Sequence, residues 1–430
     1  MNIVYIIPKI THGGGMSNIL TEVTTIQKLG IKTDPLVISL ESGVSTELLK
    51  SAVAIGLKTL ITPSKNVLKK ILLKADLLVV HYWNCPSLYE FYILLTNEKI
   101  ESRICVNLKV NGCTLPQVVP EWIYKTADAF IYSNPLTPTD SLQHTSLKLN
   151  IPSLVKLPDL INPINTYTKK EFKLFHAGTL NTFKLHPQFI EMHSNLSNKK
   201  YSFSFWGAGA DDTFLTQIKE FPWISYYGFS SNLSESIQSH HLLCNPQTLL
   251  SYGSFDKIML ECQWIGKPVI TLKNSYISTH IKHNINGIVA YDEYEYKLQL
   301  TNLIEDPKQY KNLVESTLSY SHANYSLYKI VMQTYDLYKS TIQQEKKIID
   351  EICVPKNPIK AVLDGMGKWK NYIVNNETNN LNKEELYYAL YCEGGLVHYL
   401  NQYPTNNELK IIISILMDQL NLLTALRNKN

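Results

Sequence analysis

The chain has 430 residues, of which 44% are hydrophobic and 18% are charged, and its formal net charge is +4. This length exceeds what one ordinary hydrophobic core buries, so two domains and an appendage are expected. The mild charge, without a dense Lys/Arg block, argues against a nucleic-acid partner, and no apolar run reaches the roughly 18 residues that span a bilayer.

Cysteine use and the amino terminus predict the compartment. The seven cysteines are scattered without a Cys-x-x-Cys pair, which fits a reducing environment and predicts neither a disulfide framework nor a zinc site. Residues 1–8, Met-Asn-Ile-Val-Tyr-Ile-Ile-Pro, predict a buried first strand rather than a signal peptide. We expect a cytoplasmic protein, and its mildly basic balance leaves peripheral contact with the inner face of a membrane open.

Short apolar runs bounded by turn residues alternate with helical stretches as far as about residue 300, which predicts parallel sheets covered by helices. Two series of candidate strands imply two Rossmann-like domains. The first series is 3–7, 35–38, 77–81, 104–108 and 129–132. The second series is 172–176, 201–206, 224–227, 241–244, 269–272 and 287–290. After these strands, helices are predicted over 306–339 and 384–426.

The predicted domains follow from these two series. A first domain is expected at 1–160, a second at 167–320, a helix returning to the first domain at 321–340, and a helical extension at 356–430. Between the domains, residues 157–166 contain two prolines and two asparagines, which is typical of a linker.

The segment 251–261, Ser-Tyr-Gly-Ser-Phe-Asp-Lys-Ile-Met-Leu-Glu, predicts a turn that opens onto a helix, and Gly266 is placed to end that helix. A helix start offers unpaired backbone N–H groups and partial positive charge, to which Lys257 adds a full charge. This pattern predicts a site for a nucleotide-linked phosphate. The alternative is an ordinary helix in which Glu261 is a salt-bridged surface residue.

Ligands of open parallel sheets bind beyond the carboxyl ends of the strands, so the loops at those positions are candidates. Glycines there let a phosphate or a sugar approach the backbone closely. The alternative for these loops is a tight turn without a ligand. Lys184, in the loop after the first strand of the second series, is a candidate cation, and its alternative is a solvated surface lysine. The glycines are Gly14 and Gly15 after the first strand, Gly178 after the first strand of the second series, and Gly207 and Gly209 after the next.

These segments together resemble the signature of retaining GT-B glycosyltransferases of the family-4-like group, the glycosyl transferases group 1. In that signature two glutamates eight positions apart flank a Phe-Gly. Phe255 and Glu261 fit this register, whereas Gly253 stands in place of the first glutamate and Asp256 in place of the glycine.

The loop after the first strand of the second series carries a further part of the resemblance. The family typically has a Gly-Arg there, with a lysine a few residues on, and the two cations bind the donor diphosphate. Gly178 and Lys184 match that pattern, and Thr179 replaces the arginine. Lysine acts on phosphate as a point charge, so loss of the arginine also removes bidentate geometry.

The resemblance implies an α/β fold of GT-B architecture, with two Rossmann-like domains facing each other across a cleft and a C-terminal helical extension. It implies a nucleotide-diphosphate sugar as donor, with neither a cofactor nor a metal. Lys184 and Lys257 would stabilise the departing diphosphate, and Glu261 would accept hydrogen bonds from the ribose hydroxyls. The donor-binding set is Gly14, Gly15, Gly178, Thr179, Gly207, Gly209, Phe255, Asp256, Lys257 and Glu261.

The acceptor is expected in the first domain. His81, at the end of a strand, matches a histidine common in the family and is a candidate catalytic residue. Asn111 stands where many members have a second histidine, and an amide cannot exchange a proton as imidazole does. His12 and Ser133 complete the acceptor side that the resemblance implies.

The predicted activity is transfer of a sugar from the nucleotide donor to a glycan, a lipid-linked molecule or a protein, with retention of configuration. Thr179, Gly253 and Asn111 depart from the family, so a catalytically inactive subunit that binds a partner or an acceptor protein is an alternative. Another GT-B enzyme, such as a sugar-nucleotide epimerase or a phosphorylase, is a second one. The apolar stripe at 409–423 predicts packing against protein, with assembly into homo-oligomers or membrane contact as alternatives.

Overall fold

The computed structural model describes residues 1–12, 14–140, 146–157, 171–196, 201–210, 212–230, 233–273, 275–375 and 377–427. The predicted linker at 157–166 lies outside these residues, apart from Leu157. The chain divides into two compact units. The first unit comprises Met1–Leu154, Tyr252–Ser254 and Tyr328–Asn430, and the second comprises Val155–Ser251 and Phe255–Leu327.

The first unit is built on a seven-stranded sheet whose neighbouring strands all run parallel. Its strands are β1 (Asn2–Ile7), β2 (Asp34–Ser39), β3 (Lys58–Ile61), β4 (Leu77–Tyr82), β5 (Ile104–Leu108), β6 (Ala129–Tyr132) and β7 (Leu147–Asn150). They lie in the order β3-β2-β1-β4-β5-β6-β7. The order reverses between β1 and β4, and such a switch point is where open parallel sheets bind ligands.

The five central strands begin and end within one residue of the predicted positions, and the two edge strands were not predicted. The central strands are continuous apolar runs, as expected for strands covered on both faces. In contrast, β3 is exposed at both ends and β7 alternates between half-buried and exposed residues. An edge strand has no neighbour on one side, so its composition carries little apolar signal.

Helices connect the strands of the first unit and cover the sheet. They are α1 (Gly14–Lys28), α2 (Thr46–Ala54), α3 (Lys65–Lys74), α4 (Pro86–Asn97) and α5 (Glu121–Thr126). Each of α1 to α4 follows a strand after a short loop, so their first turns and these loops share the carboxyl end of the sheet.

The second unit has a six-stranded parallel sheet in the order β10-β9-β8-β11-β12-β13, with its switch point between β8 and β11. Its strands are β8 (Phe172–Ala177), β9 (Tyr201–Trp206), β10 (Ile224–Tyr226), β11 (Leu242–Cys244), β12 (Val269–Leu272) and β13 (Gly287–Ala290). Its helices are α6 (Phe189–His193), α7 (Asp212–Lys219), α8 (Leu233–Gln238), α9 (Lys257–Trp264), α10 (Glu293–Glu305) and α11 (Pro307–Asn324). All six strands match their predicted positions within one residue, and the predicted α/β fold class is confirmed.

The helices predicted over 306–339 are α11 and α12 (Leu327–Ile342), and the chain is extended at Tyr325 between them. Tyr338 of α12 is fully buried beside Tyr5 of β1 and Glu22 of α1. Beyond α12, Lys347 forms an ion pair with Asp128 at 3.0 Å. The first unit therefore contains α12 as well as its own sheet.

The helical extension belongs to the first unit. On its last helix, Leu409, Ile413 and Leu416 are buried, and that helix packs against α15 and α16. Within the described part of the chain, no helix is both long and apolar enough to cross a bilayer. The helices of the extension are α13 (Pro358–Gly365), α14 (Lys370–Val374), α15 (Lys383–Tyr391), α16 (Leu396–Gln402) and α17 (Asn407–Arg427).

Candidate functional site

Three loops of the second unit meet at the carboxyl ends of β8, β9 and β10. Backbone hydrogen bonds tie them together, so Gly178, Thr179, Gly207 and Gly209 of the predicted donor set lie close to one another. The N–H groups of Gly178, Leu180 and Gly207 donate to the C=O groups of Trp206, Ala208 and Gly228 at 3.0, 2.9 and 2.8 Å respectively.

Close backbone approach explains the glycine at 207. A Cβ atom there would lie 1.7 Å from the carbonyl oxygen of Gly178, and the φ of +149° lies in a region that favours glycine. Gly209 also has a positive φ, of +87°, and its Cβ position is 3.3 Å from the methyl group of Thr179. These two glycines allow the loops after β8 and β9 to pack backbone to backbone.

Lys184 reaches back to the first of these loops. Its Nζ lies 3.2 Å from the position that a Cβ atom of Gly178 would occupy. Because glycine has no side chain, the ammonium lies next to the backbone of Gly178. The same Nζ donates to Oδ1 of Asp256 at 2.9 Å, and the lysine side chain remains 20% exposed. The structure thus brings Gly178, Lys184 and Asp256 together, although they are far apart in the sequence.

Asp256 is the hub of a buried hydrogen-bond cluster. Besides Lys184, its carboxylate accepts hydrogen bonds from Asn245 Nδ2 at 2.8 Å, Gln247 Nε2 at 2.7 Å and Tyr276 Oη at 2.9 Å. Burial acts to raise the pKa of Asp256, but the Lys184 ammonium and the hydrogen bonds outweigh it and hold that pKa below its usual value. Asp256 therefore uses both carboxylate oxygens within the protein and positions Lys184.

Sequence reasoning missed the three residues that support Asp256. Asn245 and Gln247 directly follow β11, which neighbours β8 at the switch point, so the rule about strand ends could have found them. Tyr276 lies in a short 3-10 helix after β12, and no local pattern pointed to it.

His176 was also missed as a candidate. Its ring is fully buried at the end of β8, and Nδ1 lies 2.9 Å from the carbonyl oxygen of Cys244, which assigns the ring hydrogen to Nδ1. Burial, aided by the charge of Lys184, lowers the pKa of His176 to about 4, so the ring is neutral. Among the described residues Nε2 has no hydrogen-bond partner, and it lies 3.5 Å from the Cβ position of Gly178.

The helix α9 begins beside this cluster. Asp256 is its N-cap residue, but the carboxylate makes no bond to the first turn because it is engaged with Lys184. The dipole of the helix is positive at this end, which is suited to an anion. Phe255, predicted as a donor-binding residue, packs in the hydrophobic core: it is 9% exposed and lies edge-on against His280.

Lys257 and Glu261 lie one turn apart on α9 and are both half-buried. Burial lowers the pKa of Lys257 to about 8, and the charge of Glu261 opposes that shift. Burial likewise raises the pKa of Glu261, opposed by Lys257. Each charge therefore opposes the pKa shift that burial causes in the other.

In the first unit, the predicted residues after β1 and β4 lie at the switch point of the sheet. Gly14 and Gly15 form the first turn of α1. A Cβ atom on Gly15 would lie 3.4 Å from the ring of Trp83 and 3.7 Å from Nδ1 of His81. His81 is fully buried and packs edge-on against Tyr5. Gly13 lies outside the described residues.

The other predicted acceptor-side residues make contacts within the first unit. His12 Nε2 lies 2.9 Å from Ser45 Oγ, which joins the loop after β1 to the start of α2. Ser133 Oγ lies 3.4 Å from Ser153 Oγ. Asn111 donates from Nδ2 to Thr114 Oγ1 at 3.0 Å and accepts from the N–H of Cys113 at 3.0 Å, so its amide stabilises a turn.

Gly253, which replaces the first glutamate of the family signature, belongs to the first unit. It forms an isolated antiparallel bridge with Val110, and the N–H of Asn111 donates to the C=O of Tyr252 at 2.7 Å. Backbone pairing therefore holds this loop, and no carboxylate is present at 253.

Within the described residues, no group of three or more His, Cys, Asp or Glu side chains could hold a metal ion.

The sequence matches no protein-family model and no curated protein. The structure is similar to that of Anabaena HepE in complex with UDP and glucose, with a TM-score of 0.62, 12% identity, and coverage of 79% of this chain and 100% of that one. A glycosyltransferase from Rickettsia africae gives a TM-score of 0.61 and 14% identity, covering 80% and 99%. The pneumococcal O-GlcNAc transferase GtfA, in complex with UDP and GlcNAc, gives 0.59 and 10%, covering 80% and 99%. These likenesses show that the chain has the GT-B fold.

Proposed function

We propose that this protein is a glycosyltransferase that moves a sugar from a nucleotide-diphosphate donor to an acceptor hydroxyl. The observation that carries the proposal is the ammonium of Lys184, which Asp256, the N-cap residue of α9, holds beside the backbone of Gly178. Cation, glycine and helix start are the parts from which a diphosphate site is made. The neighbours of the same fold that were solved with UDP support a uridine nucleotide as donor.

The residues act on the leaving group. As the bond from the anomeric carbon to the diphosphate oxygen breaks, the diphosphate takes the electron pair and gains negative charge. Lys184, Lys257 and the N–H groups of α9 stabilise that charge from fixed positions. The acceptor oxygen bonds to the anomeric carbon and loses its proton to a departing phosphate oxygen, and attack on the face that the diphosphate leaves retains configuration.

The rest of the nucleotide meets groups of matching chemistry in the second unit. Glu261 accepts hydrogen bonds from the vicinal ribose hydroxyls. Tyr227 and Phe229, after β10, are 60% and 53% exposed, and Tyr227 is stacked on Trp206 with ring centroids 4.9 Å apart. Exposed aromatic rings next to a glycine turn are suited to stack a nucleobase, and such stacking contributes roughly 1–3 kcal/mol per base.

The second candidate is an inactive subunit that binds the nucleotide or a partner without turnover. Asp256 neutralises part of the charge of Lys184, and Gly253 and Thr179 bring neither a carboxylate nor a guanidinium. A transferase and a nucleotide-binding inactive subunit both bind nucleotide, so turnover distinguishes those two, whereas a subunit that binds only a partner binds no nucleotide.

Calorimetric titration with UDP, GDP and their sugars tests the proposal. We expect binding of at least one nucleotide, and Lys184→Ala should weaken it by about tenfold or more, because a charged hydrogen bond contributes roughly 1.5–3 kcal/mol. Lys219→Ala, on the exposed face of α7, is the matched control and should leave the affinity unchanged. The absence of any nucleotide binding to the intact protein would contradict the enzyme and the nucleotide-binding subunit alike.

Mass spectrometry of products separates the candidates. A glycosyltransferase releases the nucleoside diphosphate and forms a glycosylated acceptor, or the free sugar by slow hydrolysis. An inactive subunit binds the nucleotide and releases nothing. An epimerase changes the nucleotide sugar without any acceptor.

A further inference from the structure

A cavity in the first unit is lined by none of the proposed nucleotide-site residues of the second unit. Its volume is about 740 Å³, within the range of roughly 300–1,000 Å³ for sites that take small ligands. Its walls come from the loops after β1, β2 and β3, from the first turns of α3 and α4, and from α16 of the extension. The polar lining includes Lys9, Glu41, Glu90, His398 and Asn401.

The wall contributed by the extension is fixed by buried hydrogen bonds. Tyr399 Oη donates to Asn84 Oδ1 at 2.9 Å, and Gln117 Nε2 donates to the C=O of Glu393 at 2.6 Å. A Cβ atom on Gly394 would lie 2.2 Å from the carbonyl oxygen of Asn84, so the two backbones touch. This contact anchors α16 beside the loop that follows β4.

Two carboxylates of the cavity present acceptor atoms. Glu41 accepts a hydrogen bond from Ser87 Oγ at 2.6 Å through Oε1, and Glu90 accepts one from Tyr403 Oη through Oε1. Among the described residues, neither Oε2 has a hydrogen-bond partner. Each carboxylate is therefore oriented by one bond and has an oxygen available for a ligand hydroxyl.

His398 of α16 presents a donor. Its Nδ1 lies 3.1 Å from the backbone nitrogen of Gly394 and accepts that hydrogen, which places the hydrogen of the neutral ring on Nε2. Burial lowers the pKa of His398, and Glu41 opposes that shift only in part. Asn401, exposed on the same helix, adds an amide that both donates and accepts.

The charge balance of the cavity disfavours an anion. Among the lining residues, Lys65 forms an ion pair with Glu98, with Nζ and Oε1 2.6 Å apart. The positive charge of Lys9 therefore faces the two negative charges of Glu41 and Glu90. The floor is apolar, formed by Leu68, Phe91 and Leu94. Hydroxyl acceptors and donors around an apolar floor suit a sugar ring, which has polar edges and apolar faces.

We propose that this cavity binds one or two uncharged sugar units at the end of a glycan acceptor, with the extension as one wall. The proposal rests on the proposed transferase function for its biological sense, but the binding itself requires no nucleotide. It narrows the acceptor from a glycan, lipid-linked molecule or protein to a molecule with an uncharged saccharide terminus.

Saturation-transfer NMR without nucleotide tests this, with cellobiose, lactose and N,N′-diacetylchitobiose as uncharged probes and a hyaluronan disaccharide as the anionic one. We expect at least one uncharged disaccharide to bind and the anionic one not to bind. Asn401→Trp fills the cavity from an exposed position and should weaken binding at least tenfold. Asn407→Trp, exposed at the start of α17 outside the cavity, is the matched control and should leave it unchanged.

A second variant keeps the shape of the cavity. Glu90→Gln removes a charged acceptor and should weaken the uncharged disaccharide by about tenfold. Binding by none of the three uncharged probes, or binding that neither Asn401→Trp nor Glu90→Gln weakens, would overturn the proposal. UDP titration of the same samples reports on the proposed function separately, since the cavity variants leave the second unit intact.

Discussion

Asp256 holds a cation in place through hydrogen bonds that all lie within the protein. Its carboxylate has four hydrogen-bond donors in the protein, one of which is Lys184. A flexible lysine loses rotamer freedom when it binds an anion, and prior orientation by Asp256 reduces that loss. We therefore interpret Asp256 as a positioning residue for the cation of the proposed diphosphate site.

Asp256→Asn should destabilise the protein by about 3 kcal/mol at pH 7, because it leaves Lys184 without its buried counter-charge. The pKa of Asp256 is lowered from 3.8, so its stabilisation is present above about pH 3.8 and is lost as the pH falls through the folded pKa. The difference between variant and parent should shrink in that acid range. Urea unfolding at several pH values measures it.

Asp418→Asn, at an exposed position of α17, is the control for this series and should change stability by less than about 0.5 kcal/mol. Equal stabilities of parent and Asp256→Asn at pH 7 would contradict the positioning role. Nucleotide affinity should also fall in Asp256→Asn, because the ammonium is no longer oriented.

Gly207→Ala should disrupt the proposed nucleotide site through the backbone. Its Cβ would overlap the carbonyl oxygen of Gly178, so the loops after β8 and β9 must separate. Gly30→Ala is the matched control, since Gly30 also has a positive φ but open space around it, and it should cost about 1–2 kcal/mol. We expect a larger loss for Gly207→Ala and no nucleotide binding in calorimetry. Equal effects of the two substitutions would argue against a required close approach.

At the scale of elements, α9 combines the positive end of its dipole with a lysine whose charge depends on pH. Burial lowers the pKa of Lys257 from 10.5 to about 8, so the ammonium is charged below that pH and neutral above it. If Lys257 stabilises the diphosphate, nucleotide affinity must decline in the same range. The helix dipole, which does not titrate, remains as the constant part of the attraction.

UDP affinity should therefore decline between pH 7.5 and about 9.5, by roughly tenfold if the full charge is lost. Lys257→Arg keeps its charge over this range and should make the affinity nearly independent of pH. Lys267→Arg tests specificity, because burial also lowers the pKa of Lys267 to about 8. If Lys267→Arg rather than Lys257→Arg removed the dependence, the assignment to Lys257 would be wrong.

At the scale of the whole molecule, the extension after residue 356 is part of the first unit rather than a separable module. Leu386, Leu390 and Leu396 are fully buried, and Tyr399 donates to Asn84 beside β4. Deleting residues 356–430 should expose this apolar surface. We expect the truncated chain to be insoluble, or to unfold at a much lower temperature when followed by circular dichroism.

A point substitution tests the contact between Tyr399 and Asn84 without removing the extension. Tyr399→Phe loses the bond to Asn84 and should lower stability by about 1 kcal/mol. Tyr391→Phe, on the exposed part of α15, is its control and should have no effect. A truncated chain as stable as the parent would show that the extension is dispensable for folding.

Sequence by itself determined the central strands and the loops that follow them, because a strand covered on both faces must be a continuous apolar run and its period is local. It also predicted that Gly178 follows a strand and that a helix begins near Lys257. Tertiary structure alone decided that Asp256 meets Lys184 and that Asn245, Gln247 and Tyr276 support it, since these residues come from different strand ends and have no common spacing. The edge strands β3 and β7, and the cavity beside α16, likewise depend on which segments fold against each other, and long-range packing leaves no periodic mark in a sequence.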